Sequence, residues 1–262
     1  MSVSFEFSEA VALVTGASGA LGSAVCEAFA DAGATVAAAD VVAPDDEDAQ
    51  LDAGRERIDF YQADFTDESE VERVVSEVVE DHGTLNHLAN VAGTWRGGTP
   101  IEETDADTFE FLFDVNLKTT FLASKHALPH LREAGPSGDG CDRQGSIVSV
   151  SARSSLEGGE GDGPYRASKA GVRLLTETIA EENSGEVRAN AVMPSVIDTP
   201  ANREMMPDAD HEKWWTRPTS PRRYWFSVRT RPKSPAARPS RSTARSERSS
   251  TSGLCRERIK ND

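Results

Sequence analysis

The sequence has few cysteines and no long hydrophobic segment. Cys26, Cys141 and Cys255 are isolated and form no Cys-x-x-Cys pair, which excludes a disulfide framework and a thiolate zinc site and favours a reducing compartment. No stretch approaches about 18 uninterrupted apolar residues, so no membrane-spanning helix is predicted. Residues 1–10 contain acids and lack the basic and apolar regions of a secretion signal. These absences predict a soluble, cytoplasmic protein with no membrane partner.

Charge is distributed unevenly along the chain. The 262 residues include 28 Lys and Arg against 44 Asp and Glu, a formal charge of −16, but residues 216–262 carry 13 basic and 3 acidic side chains. The acidic remainder is predicted to repel nucleic acid and anionic membranes and to stay hydrated in concentrated salt. A halophilic source and an ordinary solubilising surface both account for it, and composition does not separate them.

Hydrophobic periodicity predicts one α/β domain over residues 1–215, because short apolar runs alternate with amphipathic stretches as in βαβ units around a parallel sheet. We therefore expect a Rossmann-like, doubly wound parallel sheet. Strands are predicted at residues 10–15, 34–39, 57–61, 85–89, 146–150 and 187–193. Helices are predicted at residues 20–32, at 66–81 with Thr66 as the N-cap, at 104–131 in two pieces, and at 164–183.

A glycine-rich turn, Thr15–Gly22, separates the first strand from the first helix. Gly16 permits the tight turn, Gly19 lets the backbone approach a pyrophosphate, and Gly22 allows close packing of helix and strand. Asp40 ends the second strand, where its carboxylate can accept hydrogen bonds from an adenosine ribose and repel a 2′-phosphate. The sequence therefore predicts NAD(H) as the cofactor and disfavours NADP(H). The alternative is a glycine-rich turn that binds nothing.

Tyr165 and Lys169 lie four residues apart at the start of a predicted helix, so their side chains share one face. A lysine in this place is predicted to lower the pKa of the tyrosine phenol and to make it a usable acid and base. Such a pair also occurs on ordinary helix surfaces. The functional prediction therefore depends on its combination with the glycine-rich turn.

Together these motifs resemble the short-chain dehydrogenase/reductase family over residues 8–214. The segment Asn90–Gly93 is similar to the family's Asn-Asn-Ala-Gly element, which supports the sheet and borders the cofactor, although Val91 replaces its second Asn. Met193–Thr199 is similar to the family's element at the nicotinamide carboxamide, with Ser195 in place of a glycine.

The resemblance also implies roles for two isolated polar residues. Asp64 matches the acid that contacts the adenine amino group, and Asn116 matches the asparagine that links the catalytic lysine to a proton-relay water. The residues themselves leave other roles open, because Asp64 can initiate a helix and Asn116 can bend one.

The family's catalytic serine is missing at the expected place. Counting thirteen residues back from Tyr165 reaches Ala152, with Ser151 adjacent. Because neighbours on a strand point to opposite faces, Ser151 can replace the missing hydroxyl only after a local shift. This departure, together with Asp40–Val42 and the segment Asp198–Asp210, resembles the dihydropteridine-reductase-like and 3-oxoacyl carrier protein reductase-like members most closely.

The resemblance implies hydride transfer between a nicotinamide and a small carbonyl or alcohol substrate, with a pterin-like substrate as the alternative. It further implies a homodimer or homotetramer, and neither a metal site nor a nucleic-acid partner is predicted. The predicted catalytic residues are Tyr165, Lys169, Asn116 and Ser151. The predicted cofactor-binding residues are Gly16, Ser18, Gly19, Leu21, Gly22, Asp40, Asp64, Phe65, Asn90, Ala92, Gly93, Tyr165, Lys169, Pro194, Ile197 and Thr199.

Residues 216–262 form a basic tail rich in Pro, Arg and Ser, with almost no aliphatic side chains to bury. Family members carry a further helix and a seventh strand here, so we predict that the last strand is missing and that the sixth becomes an exposed edge. A shifted reading frame, a natural disordered tail and a nucleic-acid-binding arm are the three interpretations. We favour the shifted frame, because the other two do not account for the missing strand. A further alternative is a dinucleotide-binding protein whose catalysis is disabled by this C-terminus.

Overall fold

The computed structural model describes residues 7–52, 54–134, 145–205, 207–208 and 210–214. The predicted tail over residues 216–262 lies outside the described residues, as do Cys141 and Cys255. Among the helices within those ranges, none is both long and apolar enough to cross a membrane.

Six strands form one parallel sheet. They are β1 (Val11–Thr15), β2 (Thr35–Asp40), β3 (Ile58–Gln62), β4 (His87–Asn90), β5 (Gly145–Val150) and β6 (Val187–Val192). Their order is β3-β2-β1-β4-β5-β6, so the chain runs outward to β3, returns to pair β4 with β1 and continues to the other edge. This reversal opens a crevice at the carboxyl ends of β1 and β4, where Rossmann-like sheets bind ligands. The predicted Rossmann-like fold is confirmed, and β6 is the edge strand of the sheet that the described residues form.

Helices cover both faces of the sheet. They are α1 (Ala20–Asp31), α2 (Glu68–His82), α3 (Ala106–Phe113), α4 (Thr119–Glu133), α5 (Gly163–Glu182) and α6 (Pro200–Met205). A π-helical segment, Asp114–Lys118, joins α3 to α4 without a break, so the long helix predicted here is continuous and changes its type in the middle.

The core has two parts because successive strand residues point to opposite faces. Val14 packs with Val25 and Phe29 of α1 on one face, whereas Leu13 belongs to the cluster on the other face. The second cluster includes the valines of α2 whose helical spacing marks its buried face. These valines are Val71, Val74, Val75 and Val78.

The helix α2 begins one residue later than the sequence predicts. Asp67, and not Thr66, is its N-cap, and the Asp67 carboxylate accepts hydrogen bonds from the N–H groups of Ser69 and Glu70. A carboxylate is favoured at this position because it also interacts with the positive end of the helix dipole. The Thr66 hydroxyl instead donates to Asp64 at 2.7 Å.

Candidate active site

A cleft of about 570 Å³ opens at the carboxyl ends of β1, β2, β3 and β4. The structure brings many of the predicted cofactor-binding residues together around it. Those that line it are Gly16, Ser18, Gly19, Leu21, Gly22, Asp40, Asp64, Phe65, Ala92 and Gly93. The cleft therefore joins motifs that are up to 77 residues apart in the chain into one surface.

The glycine-rich turn is packed so closely that side chains are excluded from two of its positions. Gly16 has a φ of +68°, and a Cβ atom there would lie 2.7 Å from the Ala92 Cα. A Cβ on Gly22 would lie 1.9 Å from the Gly16 carbonyl oxygen. Gly19 differs, because its Cβ would make only an ordinary contact of 3.5 Å with that same oxygen. Gly16 and Gly22 are thus required by packing, while Gly19 leaves room at the cleft.

The start of α1 offers free hydrogen-bond donors to this cleft. Gly19 is the N-cap, no side chain caps the helix, and the first turn contains no acidic residue. The first N–H groups of a helix have no partner within it, and the helix dipole makes this end attractive to anions. Since Gly19 also keeps the approach open, the turn fits the pyrophosphate of a dinucleotide.

Asp40 connects the two loops that border the far end of the cleft. Its carboxylate accepts hydrogen bonds from the N–H of Ser18 at 2.9 Å and the N–H of Val42 at 3.0 Å. The Ser18 hydroxyl completes the link by donating to the Val42 carbonyl at 2.7 Å. A carboxylate has about four acceptor sites, so Asp40 keeps acceptors for a ligand.

The same end of the cleft is acidic. Asp48 and Asp64 line it together with Asp40, and its described lining includes no Lys or Arg. The Asp64 carboxylate is oriented by Thr66, whose N–H and hydroxyl both donate to it. Clustered negative charge of this kind opposes a bound phosphate, because like charges repel.

Asn90 lies beneath the cleft and does not line it. It is 2% exposed, and its Nδ2 donates to the hydroxyls of Ser124 on α4 and Ser149 on β5. Asn90 therefore holds α4 to the sheet. The resemblance implies that this element supports the sheet and borders the cofactor, and Asn90 has the first of these positions.

Lys169 is buried beside the end of β5. Its Nζ donates to the Val150 carbonyl at 3.0 Å, and burial lowers the pKa of the ammonium to about 8. A buried amine loses hydration that favours its charged form, which explains the direction of this shift.

Tyr165 does not have the lowered pKa that the sequence predicts. Burial raises the pKa of the phenol, the nearby Asp162 carboxylate raises it further, and Arg166 opposes them. The prediction was wrong because Lys169 directs its ammonium at the backbone of β5, where it does not offset the burial of the phenol. The phenol of Tyr165 is therefore protonated at neutral pH.

Asn116 sits in the π-helical segment and is fully buried. Its Oδ1 accepts the Thr94 N–H at 2.8 Å, and its Nδ2 donates to the Ser168 hydroxyl at 3.1 Å. Ser168 in turn donates to the Tyr165 carbonyl. Asn116 therefore connects the loop after β4 to the part of α5 that contains Tyr165 and Lys169. π-helical segments are frequent at functional sites because they displace one side chain from the helix register.

Gly93 is the place where the cleft meets two of the side chains that are predicted to be catalytic. It lines the cleft, and a Cβ atom there would lie 2.6 Å from the Lys169 Nζ and 2.8 Å from the Asn116 Oδ1. The predicted lysine and asparagine are therefore brought together directly behind the wall of the cofactor cleft.

Ser151 directly follows β5, and its hydroxyl points to the backbone of α5. It is 1% exposed, and its hydroxyl donates to the Lys169 carbonyl at 2.7 Å. The adjacent Ala152 has no hydroxyl to offer. The contact ties β5 to α5 and supports a positioning role for Ser151 next to Lys169.

The segment after β6 is held by its own hydrogen bonds. The Pro194 carbonyl accepts the Arg153 N–H at 2.9 Å, while Asn202 donates to the Ile197 carbonyl and to the Thr199 hydroxyl. The described lining of the cleft does not include Pro194, Ile197 or Thr199.

Three supporting residues have no predicted role in the sequence analysis. Thr94 and Ser168 hold Asn116, and the hydroxyl of Thr15 accepts the N–H groups of Val91 and Ala92. Ser168 stands directly before Lys169, and Thr15 directly before Gly16. Their positions next to predicted site residues could have indicated a supporting role for both.

Comparisons with known proteins agree with this geometry. The family model described as short chain dehydrogenase matches residues 10–210. The 3-oxoacyl-(acyl-carrier-protein) reductase of Thermotoga maritima is 34% identical over 205 residues, which cover 77% of this chain and 79% of that protein. The cis-4-hydroxycyclohexanecarboxylate dehydrogenase of Sinomonas cyclohexanicum is 34% identical over 197 residues, with coverages of 74% and 76%. The solved structure of Thermoplasma acidophilum aldohexose dehydrogenase has a TM-score of 0.73 at 26% identity, and covers 86% of this chain and 89% of its own.

The chain belongs to the short-chain dehydrogenase/reductase family, whose members are oxidoreductases that act on small molecules with NAD(P)(H). The family resemblance of the motifs is thereby confirmed. The comparisons do not favour the narrower resemblance to dihydropteridine reductases, nor a catalytically disabled protein.

Proposed function

We propose that this protein is an NAD(H)-preferring reductase of small carbonyl compounds, and the dehydrogenase of the corresponding alcohols. The single observation that carries the proposal is the meeting at Gly93 of the dinucleotide cleft with Lys169 and Asn116, one turn of α5 from Tyr165. Because members of the family typically form oligomers, the proposal includes a homodimer or homotetramer.

The preference for NAD(H) is supported by the charges of the cleft. Asp40, Asp48 and Asp64 are its charged lining residues in the described part of the chain. Asp40 is held by two backbone N–H groups, so its oxygens are positioned to accept hydrogen bonds from ribose hydroxyls. A 2′-phosphate would meet these carboxylates without a basic partner, which costs binding free energy.

In the proposed reaction the bound nicotinamide supplies the hydride that reduces the substrate carbonyl carbon. Tyr165 gives its phenolic proton to the carbonyl oxygen, which completes the alcohol. Its raised pKa keeps that proton in place until negative charge develops on the substrate. Lys169 is proposed to hold the cofactor ribose, and Asn116 to organise the proton relay that restores Tyr165.

The test is an NADH-consumption assay with a panel of aldehydes, cyclic ketones and 3-oxoacyl thioesters. Quinonoid dihydropterin is included because the sequence motifs also resemble those of dihydropteridine reductases. Turnover of a carbonyl compound with NADH supports the proposal. Turnover of the pterin alone, or NADPH as the better reductant, overturns it.

The affinity for NADH is expected to fall as the pH rises through about 8, because Lys169 then loses its charge. A charged donor contributes about 1 kcal/mol more to a hydrogen bond than a neutral one, so the loss is roughly fivefold. Fluorescence titration across this range measures it. In Lys169→Met the affinity should be weaker and independent of pH there; a parallel fall in both proteins would contradict the assignment.

Gly93→Ala is expected to lower kcat by roughly 10- to 100-fold, because displacing a catalytic group by about 1 Å costs this much. The added methyl would lie 2.6 Å from the Lys169 Nζ, and the flexible end of that side chain would move. The melting temperature should change little. Gly54→Ala is the control, since its Cβ position lies 3.3 Å from only the end of the Asp52 side chain, far from the predicted catalytic groups in the chain. Equal kcat values in the two variants would show that Gly93 does not adjoin the catalytic groups.

A further inference from the structure

Arg166 gathers four oxygen atoms from the loop between β5 and α5. Its Nη1 donates to the carbonyls of Ser154, Glu157 and Gly158 at 3.1, 3.1 and 3.3 Å. Its Nη2 donates to the Asp162 carboxylate at 3.2 Å. Arg166 directly follows Tyr165 in the chain, so one side chain connects the catalytic end of α5 to the whole of this loop.

The loop buries little apolar surface. Its 3-10 segment, Arg153–Leu156, buries none of its side chains, and Leu156 is 60% exposed. Without apolar burial, a loop depends on its hydrogen bonds for order. The guanidinium supplies bonds at both ends of the loop and in its middle.

The chain also passes directly across the guanidinium. A Cβ atom on Gly159 would lie 2.2 Å from the Arg166 Cζ, so a side chain at this point would displace the guanidinium. The loop between β5 and α5 also contacts the loop after β4. The Gly98 N–H donates to the Gly161 carbonyl at 2.9 Å, and a Cβ on Gly97 would lie 2.6 Å from the Asp162 carboxylate.

These two loops are linked to each other near Tyr165, because the Asp162 carboxylate is close enough to the phenol to raise its pKa and the Gly98 N–H bonds to the neighbouring Gly161. One starts at Ala152, where the family's serine is replaced, and the other starts at Gly93 beside Lys169. A substrate carbonyl at the Tyr165 hydroxyl would therefore lie near the loop that Arg166 and Asp162 hold.

We propose that Arg166 is a positioning residue that holds residues 153–162 as the substrate-side wall of the active site and thereby sets substrate affinity. The inference deepens the proposed function and rests on it. Arginine is required because its planar guanidinium directs N–H groups to several oxygens at once, whereas a lysine ammonium is a compact point charge on a flexible stem.

The test compares Arg166→Gln and Arg166→Lys with Arg173→Gln. Arg173 lies on the same helix and forms an ordinary i,i+4 ion pair with Glu177. Arg173→Gln therefore removes one arginine of the same helix and is the matched control. Hydrogen exchange of peptides covering residues 153–162 is measured in each protein. Both Arg166 variants should exchange roughly tenfold faster there, because the loop loses its anchors, while Arg173→Gln should match the unmodified protein.

Kinetics supply the second readout. With the carbonyl compound that turns over best, Arg166→Gln should raise the substrate KM by roughly 10-fold or more, while the Kd for NADH stays within about twofold. Arg166→Lys should restore the melting temperature but not the KM. A merely structural role would instead weaken NADH binding and stability together, and that result overturns the proposal.

The two readouts separate failure of this inference from failure of the proposed function. Loop exchange does not require turnover, so a protein that reduces no carbonyl compound still reveals whether Arg166 orders residues 153–162. Unchanged exchange in Arg166→Gln overturns the inference whatever the activity. Faster exchange with an unchanged substrate KM overturns it as well, because the loop would then not form the substrate wall.

Discussion

Tyr165→Phe is expected to lower kcat by roughly 10²- to 10⁴-fold, the usual contribution of a positioned general acid. The variant loses the proton that completes the alcohol, but it keeps the aromatic ring that packs at the start of α5. Tyr165 lies outside the lining of the cleft, and the change to Phe removes a single hydroxyl group, so the Kd for NADH should change by less than about twofold. Steady-state kinetics and NADH titration measure the two quantities separately.

Tyr61→Phe is the matched control for this prediction. The Tyr61 hydroxyl donates to Asp81 on α2 at 2.8 Å, and Tyr61 also lies outside the lining of the cleft. It therefore loses a phenolic hydrogen bond of similar kind without touching the catalytic groups. If Tyr165→Phe retained the turnover of Tyr61→Phe, the phenol would not be the proton donor.

Gly22→Ala is expected to destabilise the protein by about 1–3 kcal/mol or more, because overpacking forces backbone shifts. The added methyl would lie 1.9 Å from the Gly16 carbonyl oxygen, and a backbone atom in a tight turn cannot move away cheaply. Gly19→Ala should leave the melting temperature nearly unchanged, since its Cβ lies at an ordinary 3.5 Å from the same oxygen. Thermal unfolding distinguishes the two variants.

The same pair of variants tests the cofactor cleft. Gly19→Ala is expected to weaken NADH binding although the fold is intact, because the methyl occupies the approach to the N–H groups of α1. Normal NADH affinity in Gly19→Ala would show that the pyrophosphate binds elsewhere. An unchanged melting temperature in Gly22→Ala would contradict the close packing of turn and helix.

The parts of this molecule that follow from local rules were predictable from its sequence. Gly22 lies where the first helix packs against the glycine-rich turn, and the spacing of the motif predicts a glycine there. Asp40 ends a strand at the edge where parallel sheets bind ligands. The six-stranded parallel sheet follows in the same way from alternating apolar runs and amphipathic helices. Each of these depends on residues that are close in sequence or on a simple periodicity.

The features that were not predictable depend on contacts between distant residues. The Lys169 ammonium reaches the Val150 carbonyl, nineteen residues away, and the pKa of Tyr165 follows from burial that periodicity does not measure. Ser151 turns to the Lys169 carbonyl because α5 packs against β5 at that point. The role of Arg166 likewise appears only when the loop before α5 is folded over it.

The most direct test of the central claim is a fluorescence titration of the protein with NADH and with NADPH, in low and high KCl, with Asp40→Ala alongside. The account predicts saturable NADH binding that is roughly tenfold tighter than NADPH binding, since hydrogen bonds to a charged group contribute about 1.5–3 kcal/mol. Asp40→Ala should lose most of this preference. Equal or tighter binding of NADPH, or no saturable binding in either salt, would contradict it.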